Sequence, residues 1–179
     1  MKGVPLGKLK PLIEPKQIAD KIQKIAHEIN RDYAGKDLVI LMVLKGSICL
    51  AADLIRALEV PFELDFAQCA SYGTRGINKG DLQIFGLERL NFERRDVLVV
   101  DDIFDSGETM AFLIEALKKK NPHSLKSLVL LSKNVKRNIS YRPDYVLFDI
   151  ENHFVVGFGL DYKERYRGLP GIFIFKEES

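Results

Sequence analysis

Residues 97–110, VLVVDDIFDSGETM, decide how this chain folds and indicate what it binds. Four aliphatic residues lead into two adjacent carboxylates, Asp101 and Asp102, and a third carboxylate, Asp105, precedes a turn of small residues. An uninterrupted apolar run is typical of a strand that is buried on both faces of a parallel sheet. Polar residues that follow such a strand lie where open α/β sheets bind their ligands. We therefore predict a buried strand that ends in a ligand-binding turn.

The turn itself, SGET at residues 106–109, has the composition of a phosphate-binding site. Gly107 allows close backbone approach, and the amides at the start of a helix attract anions. Ser106 and Thr109 add two hydroxyl groups. Glu108 is an unfavourable neighbour for a phosphate, so we expect its side chain to face solvent and only its backbone N–H to bind. With the preceding aspartates, which suit ribose hydroxyls or the water shell of Mg²⁺, the turn predicts a ribose-5-phosphate site.

Length and composition set the limits within which this site is interpreted. The 179 residues predict a single domain, 1–179, that buries roughly 70% of its unfolded surface. A net charge of only +2 gives no strong electrostatic reason to expect a nucleic acid or membrane partner. The longest apolar stretch, 38–44, is shorter than the ~20 residues of a membrane helix. Because the first residues lack an apolar signal segment, we expect a cytoplasmic protein.

The remainder of the chain alternates between helical and strand-like patterns, which indicates a mostly parallel α/β sheet. Isoleucines at positions 18, 22, 25 and 29 recur at helical spacing and predict an amphipathic helix. The predicted helices are 16–32, 47–58 and 107–119, and the predicted strands of this one sheet are 38–44, 62–70, 97–101, 126–132, 145–150 and 171–175.

The segment VVDDIFDSGET, residues 99–109, resembles the phosphoribosyl pyrophosphate motif of type I phosphoribosyltransferases. Four more segments are similar, in order and spacing, to the hypoxanthine-guanine members of that family: VLKGS (43–47), SYG (71–73), LSK (131–133) and FVVGFGLDYKERYR (154–167). The resemblance spans residues 12 to 175. It implies an α/β type I phosphoribosyltransferase fold: a mostly parallel twisted sheet flanked by helices, with a mobile lid loop and a small hood formed by the N-terminal segment and residues 150–179.

The resemblance also implies a function in purine salvage. The family replaces the pyrophosphate of phosphoribosyl pyrophosphate with a 6-oxopurine base, uses Mg²⁺ as cofactor, and forms IMP or GMP. It usually assembles as a homodimer or homotetramer.

Several residues receive roles in the transfer step from this resemblance. Asp105 becomes the candidate acid–base group, which takes the imidazole proton of the purine, a role that typically contributes 10²–10⁴-fold. Lys45 and Gly46 resemble the pyrophosphate loop, in which the peptide before the lysine can be cis. Arg167 adds a planar donor fork for pyrophosphate oxygens. Without the family context, Asp105 could be only a helix cap, and Lys45 and Arg167 only solvated surface cations.

The base pocket is likewise assigned by resemblance. Lys133 looks like the lysine that donates to the purine 6-oxo group, which explains discrimination against adenine, whose 6-amino group cannot accept that bond. Phe154 is expected to stack on the base, and the Val155 backbone to read its pyrimidine edge. Asp161 is expected at the same end of the site, binding a second Mg²⁺ with pyrophosphate, while Asp101 and Asp102 serve the ribose and the first metal. The alternatives are that Phe154 and Val155 belong to the sheet core and that Asp161 is a turn acid.

Residues 71–81, beginning with Ser71 and Tyr72, contain three glycines and predict a mobile lid that excludes water from the reacting carbon. A plain exposed hairpin is the alternative.

Two other functions remain open from the sequence. A xanthine-guanine enzyme would share the phosphate site and differ at the base pocket. An RNA-binding regulator on the same fold would need a basic face, which the net charge does not suggest.

Overall fold

Most of the chain forms a six-stranded sheet with helices on both faces. The computed structural model describes residues 9–71 and 82–176. In chain order the elements are β1 (Leu9–Ile13), α1 (Pro15–Asp32), β2 (Leu38–Leu44), α2 (Ile48–Ala57), β3 (Phe62–Ser71), β4 (Leu82–Phe85), a short 3₁₀ turn (Leu87–Arg89), β5 (Asp96–Phe104), α3 (Glu108–Lys118), β6 (Ser124–Lys133), β7 (Tyr145–Ile150), β8 (Val155–Val156) and β9 (Ile172–Phe175).

The large sheet has the strand order β4-β3-β2-β5-β6-β7, and only β4 runs antiparallel to its neighbour. The predicted mostly parallel α/β sheet is therefore confirmed. The four isoleucines of α1 are buried, as their spacing predicts, in a core that α1 and α2 share with one face of the sheet. The buried side chains of α3 belong to the core on the opposite face.

The prediction that residues 171–175 complete the large sheet is wrong. β9 lies in a separate three-stranded sheet, between β1 and β8, and pairs antiparallel with both. A short apolar strand does not reveal its partners, because pairing is decided by where the rest of the chain places it. This small sheet is built from the segments for which the sequence predicts a hood.

The carboxyl end of β5 differs from its predicted boundary. The strand continues to Phe104, three residues beyond the predicted end at Asp101, so Asp102 also lies within it. Pairing with β2 stops at Val100, whereas pairing with β6 continues to Phe104. Consequently the last residues of β5 border an open crevice on the side of β2.

This crevice lies at the topological switch point of the sheet. The chain leaves β2 through α2 toward one edge, and leaves β5 through α3 toward the other edge. Ligands of open α/β sheets bind outside the strand ends at such a point.

Only the first residue of the predicted lid, residues 71–81, belongs to the described part of the chain. Ser71 ends β3, and the rest of the predicted lid, including Tyr72, lies outside the described residues. Within residues 9–71 and 82–176, no helix has both the length and the apolar character needed to cross a membrane.

Candidate active site

A cavity of about 340 Å³ opens at the switch point, and most of the predicted site residues line it. They come from the end of β2, the end of β5, the turn into α3 and the loop before β9. The predicted residues in its lining are Lys45, Gly46, Asp101, Asp102, Asp105, Ser106, Gly107, Thr109, Asp161 and Arg167.

Asp101 and Asp102 form an adjacent carboxylate pair at the base of the cavity. Asp101 is buried and accepts a hydrogen bond from the Asp102 N–H at 2.9 Å, while Asp102 accepts one from the Ile103 N–H at 2.8 Å. Burial, reinforced by the neighbouring Asp102 carboxylate, raises the pKa of Asp101 well above its usual range. Burial also raises the pKa of Asp102. The pair is therefore an electrostatically unsatisfied site that a cation would relieve.

The raised pKa of Asp101 predicts how the stability of an Asp101→Asn variant depends on pH. The folded protein holds a proton that the unfolded chain releases, so the free energy of unfolding falls as pH rises from the ordinary value of 3.8 through the raised pKa. The variant lacks this loss. We expect its melting temperature, relative to wild type, to be higher at about pH 8 than at about pH 5. If the difference in melting temperature between variant and wild type were the same at both pH values, the buried-carboxylate interpretation would be contradicted.

Magnesium fits this pair only together with a substrate. Within residues 9–71 and 82–176, no group of three or more His, Cys, Asp or Glu side chains is arranged to hold a metal ion. Mg²⁺ is commonly held by one or two carboxylates, with phosphate oxygens and water completing its shell. Asp101 and Asp102 supply such a pair of oxygen ligands. Asp161 is less available, because Arg167 Nη2 contacts its Oδ1 at 2.8 Å and the Glu164 N–H donates to its Oδ2 at 2.9 Å.

The turn before α3 depends on glycine. Gly107 is the N-cap residue of α3 and has a φ of 80°, in the left-handed region. A Cβ at this position would overlap the side chains of Ile139 and Phe104. The Ser106 hydroxyl accepts a hydrogen bond from the Glu108 N–H at 3.3 Å, and the Glu108 side chain is exposed, as expected. The turn thus presents the first amides of α3 at the cavity rim.

Gly46 is required for a different reason. Three segments approach closely here: the loop after β2, the end of β5 and the loop before β9. The Leu44–Lys45 peptide before it is cis, a form that the resemblance allows but does not require. A Cβ on Gly46 would overlap the Asp102 carboxylate, and a Cβ on Gly159 would overlap the Gly46 carbonyl. The loop after β2 is therefore packed directly against the β5 carboxylates and against the loop before β9.

We expect Gly46→Ala to destabilise the protein, because the added methyl group has no space beside Asp102. Overpacking of this kind costs about 1–3 kcal/mol, which corresponds to a loss of roughly 2–12 °C in melting temperature for a chain of this size. Gly168→Ala is the matched control, since a Cβ there meets nothing within 4 Å. Equal melting temperatures for the two variants would contradict the predicted overlap.

Arg167 and Lys45, the two cations predicted to bind pyrophosphate, both line the cavity. Arg167 Nη1 donates to the Gly159 carbonyl at 2.8 Å, which fixes the direction of the guanidinium group. One carboxylate, that of Glu164, contacts both cations: Oε1 lies 3.1 Å from Lys45 Nζ, and Oε2 lies 3.2 Å from Arg167 Nη2. Glu164 was not among the predicted site residues, although it lies within residues 154–167, which carry part of the resemblance. A lone glutamate in a loop gives no indication of which cations it will meet.

Asp105 and Lys133 form an ion pair beside the predicted phosphate-binding turn, with Lys133 Nζ 2.6 Å from Asp105 Oδ2. The Lys133 side chain is only 11% exposed, so it is held in place at the end of β6. Arg137 supports both residues: its Nε donates to the Asp105 carbonyl at 2.6 Å, and its Nη2 donates to the carbonyls of Phe104, at 2.9 Å, and Lys133. Sequence reasoning missed Arg137, because backbone carbonyls leave no motif.

The residues predicted to form the base pocket, apart from Asp161, lie outside the lining of this cavity. Lys133 faces a neighbouring cavity of about 470 Å³, whose lining includes Arg137 and Asp149. The Phe154 side chain is 51% exposed and meets Phe175 in an edge contact. Val155 is buried in β8. The Phe154 side chain is thus half exposed, whereas the Val155 side chain is part of the core and only its backbone remains a predicted contact.

A family model for the phosphoribosyl transferase domain matches residues 12–163 of this chain. The hypoxanthine-guanine phosphoribosyltransferase of Streptococcus thermophilus is 37% identical over 169 residues, which cover 94% of each chain. The bifunctional protein TilS/HprT of Listeria innocua is 38% identical over 169 residues, but the chain spans only 26% of that relative's length. The crystal structure of a hypoxanthine phosphoribosyltransferase from Staphylococcus aureus superposes with a TM-score of 0.91 at 33% identity, covering 98% of this chain and 96% of the other.

Proposed function

We propose, from the premise that this chain belongs to the phosphoribosyl transferase family, that it is a purine-salvage enzyme which transfers the 5-phosphoribosyl group of phosphoribosyl pyrophosphate to hypoxanthine and guanine. The products are IMP or GMP and pyrophosphate. The fold, the switch-point cavity and the relatives named above all support this reaction.

The observation that carries the proposal is the Asp105–Lys133 pair next to the phosphate-binding turn. The 6-oxo group and the imidazole nitrogen of a 6-oxopurine lie on the same edge of the base. A carboxylate and an ammonium group 2.6 Å apart match that edge, since one accepts the imidazole proton and the other donates to the oxygen. An adenine presents an amino group where Lys133 requires an acceptor.

The other residues that line the cavity bind the phosphoribosyl donor. The amides of the turn at residues 106–109 bind the 5-phosphate, and Lys45 and Arg167 neutralise the departing pyrophosphate. Bound Mg²⁺, held by Asp101 and Asp102, would supply positive charge to the donor's oxygens. As the bond to pyrophosphate breaks, positive charge builds on the ribose carbon, and fixed protein charges stabilise the change without reorganisation.

The test is product formation from phosphoribosyl pyrophosphate with hypoxanthine, guanine, xanthine and adenine, each with and without Mg²⁺. We expect the monophosphates of hypoxanthine and guanine to form only with Mg²⁺, and adenine to be inert. A preference for xanthine over hypoxanthine would assign the chain to the xanthine-guanine enzymes instead. Failure to form any nucleotide would reject the proposal.

We further propose that the enzyme assembles from at least two copies of this chain. Leu64 and Phe66 of β3 are exposed, and Phe85 of β4, opposite Gln68 in the register, lies on the same face. Large apolar side chains grouped at a sheet edge are typical of an interface, and a second copy would bury them. Light scattering should give a mass of at least twice 20.4 kDa. A monomer at micromolar concentration would contradict this assembly.

A further inference from the structure

Glu164 occupies the position of an anion between the two cations that are assigned to pyrophosphate. Each of its carboxylate oxygens contacts a different cation, Lys45 at 3.1 Å and Arg167 at 3.2 Å. Lys45 follows β2, whereas Glu164 and Arg167 lie in the loop before β9. The Glu164 side chain therefore links this loop to a residue 119 positions earlier in the chain. A phosphate group of the leaving pyrophosphate would offer oxygens to the same two donors.

The backbone that carries Glu164 is fixed rather than free to move away. Tyr162 and Arg165 exchange both backbone hydrogen bonds, at 3.1 and 3.0 Å, which closes a two-residue turn. Both residues of that turn, Lys163 and Glu164, have positive φ, of 50° and 61°. Residues other than glycine and asparagine adopt a positive φ only at a cost in conformational free energy, so the surrounding contacts must hold the turn in place.

The contacts of Glu164 are nevertheless weak enough for a ligand to displace. The side chains of Glu164 and Lys45 are 65% and 57% exposed, and exposed ion pairs contribute little net free energy. The more negative pyrophosphate, accompanied by a metal ion, would compete successfully. Removal of the Glu164 carboxylate should therefore leave Lys45 more available and leave Arg167 with one carboxylate partner, Asp161, instead of two.

We propose that Glu164 is an internal competitor of pyrophosphate: it holds Lys45 and Arg167 in the free enzyme and returns to them when the product leaves. This role rests on the proposed phosphoribosyl transfer, in which pyrophosphate is the leaving group. Glu164 thus weakens binding of the donor's pyrophosphate group and speeds release of the product.

The test uses inorganic pyrophosphate in magnesium buffer, with its Kd measured by calorimetry for wild type and for Glu164→Gln. We expect the variant to bind about three- to tenfold more tightly, because the ion pairs of Glu164 with Lys45 and Arg167 no longer compete. Glu164→Asn is a second variant, because asparagine tolerates a positive φ and should retain the fold. Both variants should also show a lower KM for the donor and a lower inhibition constant for pyrophosphate.

Glu115→Gln is the matched control. Glu115 is 66% exposed and pairs with Lys118 at 2.7 Å, but it lies on α3 and does not line the cavity. Its replacement should leave pyrophosphate binding unchanged. Unchanged or weaker binding in both Glu164 variants would overturn the competitor role and make Glu164 a residue that only positions the cations. If wild type forms no nucleotide from any purine, the proposed function itself fails, which is a separate outcome.

Discussion

Asp105→Asn is expected to lower kcat by about 10²–10⁴-fold, because the variant can no longer accept the imidazole proton of the purine. Asparagine has nearly the same size and shape, so the turn and its phosphate contacts should persist. The Kd for phosphoribosyl pyrophosphate should therefore change by less than about threefold, which corresponds to the free energy of roughly one weak hydrogen bond. Single-turnover rates and donor binding, measured on the same preparation, separate the two effects.

The control for the change in charge is Asp20→Asn. Asp20 is an exposed residue of α1 that pairs with Lys16 at 2.8 Å, and its replacement should change neither quantity. If Asp105→Asn weakened donor binding by the same factor as turnover, the acid–base role would be rejected, and Asp105 would be a donor-binding residue.

Lys133→Met should have the second large effect. It should lower the efficiency with which the enzyme uses the purine base and leave binding of the phosphoribosyl donor unchanged. A hydrogen bond from a charged group contributes about 1.5–3 kcal/mol, so kcat/KM for hypoxanthine should drop about 10–100-fold. The preference for hypoxanthine over adenine should fall by a similar factor, because it depends on the same donor. Methionine fills the same largely buried space and avoids a cavity.

Lys126→Met provides the comparison from the same strand. Lys126 lies toward the opposite end of β6 and pairs with Asp32 at 3.0 Å, far along the strand from Lys133. Its replacement should leave the base preference intact. Steady-state rates with hypoxanthine and adenine are the measurement, and an unchanged ratio in Lys133→Met would show that another group reads the 6-position.

The sequence determined the five parallel strands of the large sheet and the end of the sheet at which the predicted site residues meet. The apolar runs of β2 and β5 are long and uninterrupted, so burial on both faces follows from composition alone. The isoleucine spacing of α1 predicted a helix that the structure begins one residue earlier, at Pro15. The acids and small residues after Val100 marked the turn that lines the switch-point cavity, because these residues are neighbours in the chain at the end of one strand.

The roles of individual residues within the site remain predictions, although most of those residues share one cavity. Resemblance supplied Lys45 and Arg167 from distant segments, which local patterns leave as ordinary surface cations. It did not supply Glu164 or Arg137, whose importance lies in contacts with side chains and carbonyls elsewhere in the chain.

Only the tertiary structure decided which strands pair and which charges meet. Residues 172–175 read locally as another strand of the large sheet, yet they pair with β1 and β8, since strand pairing depends on long-range placement. The need for glycine at position 46 likewise comes from Asp102, which is distant in sequence and adjacent in space. Local patterns specify what a segment can form, and contacts between distant segments select among those possibilities, because packing and electrostatics act through space rather than along the chain.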